Sequence, residues 1–108
     1  MDKITVADAR KVEAIGRHVK LQGWLRTRRD SKGGFSFIEL NDGSSQGNVQ
    51  IVAPAALANY ESEVKHLTTG SSVTITGEVK ASPAKGQPTE VHADSVTVHG
   101  GADAHTYP

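Results

Sequence analysis

The sequence predicts an all-β fold, five strands closed into a small barrel, with one helix between the third strand and the fourth. Three observations carry this. Apolar and polar residues alternate in separate short stretches after residue 17. Glycine, proline and Asn-Asp-Gly signals divide those stretches. Sustained helical spacing occurs between them only once, after Pro54.

Residues 1–16 form a lead-in. Val6, Ala9, Val12 and Ile15 recur at weak helical spacing, which predicts a short N-terminal helix or an irregular approach. The barrel is expected over residues 17–100. Its first strand covers His18 to Arg29, with Val19, Leu21 and Leu25 pointing one way and Lys20, Gln22, Arg26 and Arg28 the other. Gly23 interrupts that strand, and a lone glycine there marks a bulge or sharp bend. Asp30 to Gly34 is a loop. The second strand, Phe35 to Asn41, ends at the turn signal Asn41-Asp42-Gly43-Ser44, and the third is Asn48 to Ala53.

Pro54 breaks the sheet pattern. Leu57, Tyr60, Val64 and Leu67 then recur at helical spacing, which predicts an amphipathic helix ending before Gly70. The fourth strand, Ser71 to Ala81, sets Val73, Ile75, Gly77 and Val79 against Ser72, Thr74, Thr76, Glu78 and Lys80. Ser82 to Pro88 is a loop. In the last strand, Thr89 to Val98, the apolar phase slips between Ala93 and Val96, which predicts a bulge near Asp94 and Ser95. Strand, strand, strand, helix, strand, strand is the order of the OB-fold, a Greek-key barrel that binds oligonucleotides and oligosaccharides. Side chains fill a barrel this small, so a ligand belongs outside it. The expected surface is the face of strands two and three, between the loops Asp30–Gly34 and Ser82–Pro88.

A chain of 108 residues makes one domain, 1–108. It has no cysteine, which fits a reducing compartment such as the cytoplasm and excludes disulfides and cysteine-based zinc sites. No signal peptide or apolar run of membrane-spanning length is present. Twelve basic and twelve acidic residues cancel, but Arg17, Lys20, Arg26, Arg28, Arg29 and Lys32 crowd one stretch against the single acid Asp30. That run reads either as edge protection on a solvated strand or as a phosphate-binding surface. His92, His99 and His105 lack metal-ligand spacing, so no metal site is expected. Gly33-Gly34 is followed by neither a helix nor a Gly-Lys-Ser/Thr pattern, and no nucleophile context is recognisable. No catalytic residue is expected.

Strand two holds the most informative anomaly. If Ile38 and Leu40 face the core, Phe35 and Phe37 face outward, in a chain with only five aromatic residues. On strand three, inward Val49 and Ile51 place Gln50 on the same outer face as Phe37. A ring beside an amide suits base recognition by stacking and edge hydrogen bonds. The other reading puts Phe37 under a helix or loop and makes Gln50 a spectator. Arg26, Arg28 and Arg29 close strand one, where planar guanidinium forks can reach phosphates. Glu90 opens strand five, either as a solvated acid or as an acceptor for base amino or imino protons.

The run GWLRTRRDSKGGFSFIELNDGS followed by NVQIV resembles the anticodon-binding domain of the class IIb aminoacyl-tRNA synthetases. LTTGSSVTITGEVKASPAKGQPTEVHADSVTVHG and ADAHTYP resemble the asparaginyl branch in particular. The resemblance spans the chain from about Val19 onward and implies specific roles. Phe37 stacks on the central uridine of the anticodon, and Gln50 hydrogen-bonds it. Arg29 contacts RNA near the anticodon, and Glu90 reads a base edge. Trp24, in the family's "GW" motif, is structural. Ser82 stands where the aspartyl branch can have an arginine, which puts contacts to the third anticodon base in doubt. Residues 101–108 correspond to the start of a linker to a catalytic domain absent from this chain. That domain would bind ATP, magnesium and asparagine, so the chain alone is expected to be inert and its parent an asparagine–tRNA ligase. The implied partner is asparagine-specific tRNA, bound by an isolated monomer whose parent is a homodimer. A free-standing OB-fold module that binds single-stranded nucleic acid without sequence preference is the competing reading.

Overall fold

A computed structural model describes residues 2–83 and 86–100. Ala84 and Lys85 of the expected Ser82–Pro88 loop, the expected linker 101–108, and His105 lie outside the described residues. The strands are β1 (Asp2–Lys3), β2 (His18–Asp30), β3 (Phe35–Asn41), β4 (Val49–Pro54), β5 (Ser72–Ala81) and β6 (Thr89–Gly100). They lie in the order β1-β2-β3-β4-β6-β5, and β5 pairs back onto β2, so β2 to β6 close a five-stranded barrel. All barrel pairings are antiparallel except β4 with β6. The all-β barrel expected from the alternation is present.

Its longest strand serves two neighbours. His18 to Trp24 of β2 pairs with β5, and Trp24 to Asp30 pairs with β3. Gly23 sits at the changeover, where a Cβ would lie 2.3 Å from the carbonyl oxygen of Asn41. Only a residue without a Cβ can sit that close to the backbone of the neighbouring strand. The irregularity expected at Gly23 falls instead between Leu25 and Thr27, at Arg26. The bulge expected near Asp94 and Ser95 is found: Thr76 faces Ser95 while Gly77 faces Ala93, leaving Asp94 extra.

Two local expectations need correction. The lead-in contains the α-helix α1 (Val6–Ala9) and a 3-10 turn (Val12–Ala14), but also β1, which pairs parallel with the start of β2. Two residues are too short for a period to be read. The segment after Pro54 is no α-helix; it is a series of turns with one 3-10 turn at Val64–His66. Its N–H groups bond to carbonyls three, four and five residues back, as in Tyr60 to Leu57, Glu63 to Asn59 and Lys65 to Tyr60. Tertiary anchors break the repeat. The Asn59 amide donates to the Val96 carbonyl at 2.7 Å, and the Tyr60 hydroxyl is 3.0 Å from Ser36 Oγ. The apolar spacing still serves its purpose, since Leu57, Tyr60, Val64 and Leu67 are all buried.

Alternation decides the core. Val19, Leu21, Leu25, Ile38, Leu40, Ile51, Val73, Ile75, Val79 and Val91 are fully buried inside the barrel. Val6 and Ala9 of α1 join this core beside Thr89, whose hydroxyl donates to the Ala9 carbonyl. The segment 55–67 covers the end near Ser36 and Val96.

Asp42 ties the lead-in to the β3–β4 turn. Its Oδ2 accepts from the Val6 N–H at 3.0 Å and its Oδ1 from the Ser44 N–H at 2.9 Å. Burial pushes its carboxyl up, but hydrogen bonds from the Ser44 hydroxyl and from the Val6 and Ser44 N–H groups outweigh it. The carboxyl is held below its ordinary value of 3.8. A depressed carboxyl stabilises the fold above its unfolded-state value, and that contribution disappears as pH falls through the folded-state value. Asp42→Ala is therefore expected to cost about 1–2 kcal/mol at neutral pH by urea unfolding. The gap from wild type should close in acid below 3.8. A gap that stays constant down to strong acid would deny Asp42 this role.

Candidate nucleic-acid interface

On β3, Ser36, Ile38 and Leu40 are buried in the barrel, while Phe35, Phe37 and Glu39 are only half-buried on the outer face. Strand register turns this alternation into rows. One row crosses the sheet through Arg29, Phe37, Val52 and His92 on β2, β3, β4 and β6. The next runs through Thr27, Glu39, Gln50 and Glu90 on the same four strands. Residues directly opposite in a sheet share a face, so both rows present their side chains together.

The first row is aromatic and cationic. The Arg29 guanidinium carbon lies 4.4 Å from the Phe37 ring centroid, within cation–π range. Phe35 meets Phe37 edge-on, with centroids 5.1 Å apart and ring planes at 80°. The second row is polar. Gln50 Nε2 donates to Glu90 Oε1 at 3.1 Å, and His92 Nε2 is hydrogen-bonded to Glu90 Oε2. Gln50 and Glu90 are 9% and 8% exposed, so neither is a solvated surface group. A carboxylate this buried is tolerable because both of its oxygens are engaged. Between the rows opens a cleft of about 290 Å³, bounded also by Pro83 of the β5–β6 loop.

The structure thus brings together Arg29, Phe37, Gln50 and Glu90. It does not bring in Arg26 or Arg28. Arg26 is the exposed residue at the register slip. One extra residue reverses the phase of everything after it. Arg28, expected on the outer phase, therefore stands opposite inward Ile38. Its guanidinium Nε donates to the Leu67 carbonyl at 3.0 Å, and Nη1 pairs with Asp30. Arg28 braces the segment 55–67 against the end of β2. The same reversal sends Arg29 outward, over Phe37.

Sequence reasoning passed over Val52, Pro83 and His92. The signal for two of them was present: Val52 follows Gln50 and His92 follows Glu90 by two residues, the spacing of one strand face. Trp24, read as structural, is 38% exposed and lines a separate open groove with Gln22, Ser72 and His99. Among the described residues no cluster of three or more His, Cys, Asp or Glu could hold a metal ion. No described helix is long and apolar enough to cross a membrane.

A family profile described as an OB-fold nucleic acid binding domain of the tRNA anticodon type matches residues 19–98. The chain is 56% identical over 108 residues to an asparagine–tRNA ligase of Rhodopirellula baltica, covering 100% of this chain and 22% of that protein. It is 60% identical over 90 residues to the corresponding ligase of Desulfotalea psychrophila, covering 83% of this chain and 20% of the relative. The chain thus spans about a fifth of the length of these curated relatives. The crystal structure of asparaginyl-tRNA synthetase from Pyrococcus horikoshii with asparaginyl-adenylate superposes with a TM-score of 0.76 at 27% identity, over 94% of this chain and 24% of that one. An OBody bound to hen egg-white lysozyme superposes equally well, at 0.76, over 92% of this chain and 94% of that one; at 19% identity it shows the fold alone.

Proposed function

The chain belongs to the family of OB-fold nucleic acid binding domains of the tRNA anticodon type, and on that premise we propose that it is the anticodon-binding domain of an asparagine–tRNA ligase. One observation carries the reading. An aromatic ring, a guanidinium and an amide held by a carboxylate share one outer face beside a cleft. Phe37 offers a π-face to the central anticodon base, a contact every base can make. Arg29 lies over that ring with its charge directed at the neighbouring phosphate. Gln50 reads the edge of the stacked base, and Glu90 accepts hydrogen bonds from base amino or imino groups at the same end of the cleft. Arg26 extends the phosphate path, and Arg28 acts from inside by holding the end of β2.

Adenylation and transfer of asparagine belong to the remainder of the parent ligase, where ATP and magnesium would act. This chain supplies no metal donor set among its described residues, and no step is assigned to it. Alone it is a monomeric, cytoplasmic RNA-binding module; the parent is a homodimer.

The test is a titration of GUU anticodon stem-loops with each base at the central position, at fixed salt. Uracil offers an imino donor beside carbonyl acceptors, whereas cytosine offers a bare acceptor and an amino donor. Wild type should prefer uridine to cytidine by about ten-fold, because an orphaned buried polar group costs about 1–3 kcal/mol. Gln50→Ala should erase most of that preference and retain the stacking contribution. Equal wild-type affinity for all four loops would sink the anticodon reading and leave an unspecific single-strand binder. Charge is tested separately. Log affinity should fall linearly with log salt by roughly 0.7 per phosphate contact, and Arg29→Gln should flatten that slope. An unchanged slope would take Arg29 off the RNA.

A further inference from the structure

The imidazole of His92 has no part in the reading given above, yet it stands behind the amide that reads the base. From the geometry we propose that His92 is a positioning residue that sets the hydrogen-bonding sense of Gln50, acting through Glu90. The inference rests on the anticodon reading of this cleft and goes beyond it by naming what makes the cleft selective.

A glutamine amide is ambiguous by itself. Its carbonyl and its amino group are nearly the same size, and rotation about the last side-chain bond exchanges an acceptor for a donor. An unconstrained Gln50 could therefore pair with the edge of uracil in one orientation and of cytosine in the other. An ionised carboxylate removes that freedom, because it can only accept. Glu90 Oε1 lies 3.1 Å from Gln50 Nε2, so the amino group must face Glu90 and the carbonyl is left to accept from the cleft. That sense suits the imino N–H of uracil and not the bare ring nitrogen of cytosine.

Glu90 can impose this only while it is itself held. Its backbone stands opposite Gln50 on β4 and Lys80 on β5, and among the described residues its second oxygen is bonded by His92 Nε2. His92 shares the outer face of β6 with Glu90, two residues along. Its neighbours across the sheet are Val52 on β4 and Glu78 on β5, and Arg29 lies farther along the same row. Val52 offers no side-chain hydrogen bond to compete for the imidazole. His92 is 42% exposed at its side chain while Glu90 is 10%, so the histidine forms the solvent-side clasp on a buried carboxylate. Without that clasp Glu90 can swing, and Gln50 regains both orientations.

The experiment compares His92→Leu, which removes the donor, with His92→Gln, whose amide can again donate to Glu90. Two quantities are read on the 108-residue chain. The first needs no RNA: the nitrogen-15 NMR signals of the Gln50 side-chain amide. The two Nε2 protons should be well separated in wild type, drawn together in His92→Leu, and separated again in His92→Gln. The second is the ratio of affinities for stem-loops with central uridine and central cytidine. It should fall from about ten-fold to about three-fold or less in His92→Leu and return in His92→Gln. Unchanged amide signals in His92→Leu would overturn the proposal whatever the RNA does. Uniform weakening of both stem-loops with the ratio intact would overturn it too, making His92 a plain RNA contact. A wild-type chain that binds uridine and cytidine loops alike would refute the anticodon reading instead, while the amide signals still judge the relay.

Discussion

Alanine at position 37 is expected to weaken binding of a GUU anticodon stem-loop by about 1–3 kcal/mol, while the urea unfolding midpoint stays almost unchanged. The ring has two sets of partners. On the protein it meets Arg29 at 4.4 Å and Phe35 at 5.1 Å, at a half-buried surface position. Such an exposed cation–π pair contributes about 0.5–1 kcal/mol, so truncation costs the fold little. On RNA, the ring is the π-face expected to stack on the base, since it lines the cleft together with the Gln50 amide. A base that loses this platform returns to solvent or to its neighbours in the loop. Fluorescence titration and circular dichroism on the same samples separate the two effects. Loss of the folded dichroism signal in Phe37→Ala would show that the ring belongs to the core and that the outer face is misassigned.

One residue along the strand, the expected result inverts. Ile38→Ala should cost about 2–5 kcal/mol of stability, from lost transfer free energy and the cavity left behind. Ile38 is fully buried, with Ile51 opposite it on β4 and Arg28 on β2. Domains of this kind hold only about 5–15 kcal/mol in total, so the variant should approach the edge of folding. Affinity per folded molecule should be nearly unchanged, because no atom of Ile38 reaches the outer face. Urea denaturation measures the first quantity. Stem-loop binding, corrected for the folded fraction, measures the second. A cost below about 1 kcal/mol would mean that the barrel closes over the gap. The two neighbours together test the alternation on which the whole site depends.

That alternation is local, which is why so much was legible without the fold. Successive side chains on a strand point to opposite faces whatever the strand pairs with. The strands themselves, Ile38 and Leu40 as core, Phe37 and Gln50 on one outer face, and the bulge at Asp94 all follow from residues within a few positions of one another. The family also shows in the sequence, through spaced motifs along residues 19–98. Helical spacing after Pro54 correctly marked which residues bury, but not their conformation. Side-chain anchors to Ser36 and Val96 replaced the helix with turns of mixed pitch.

What only the tertiary structure decided is which strands lie side by side and where the register slips. Nothing near Arg26 announces the extra residue, yet it turns Arg28 inward to the Leu67 carbonyl and Arg29 outward to Phe37. Nothing near Gln50 announces Glu90, forty residues away along the chain, and parallel pairing of β4 with β6 sets them opposite each other. His92 enters with Glu90 because the two share a face. Sequence by itself therefore determined the fold class, the core and the aromatic ring on the outer face. The hydrogen-bond sense of the site was decided by contacts between distant strands, since a side chain's partner depends on register and a strand's own periodicity carries none.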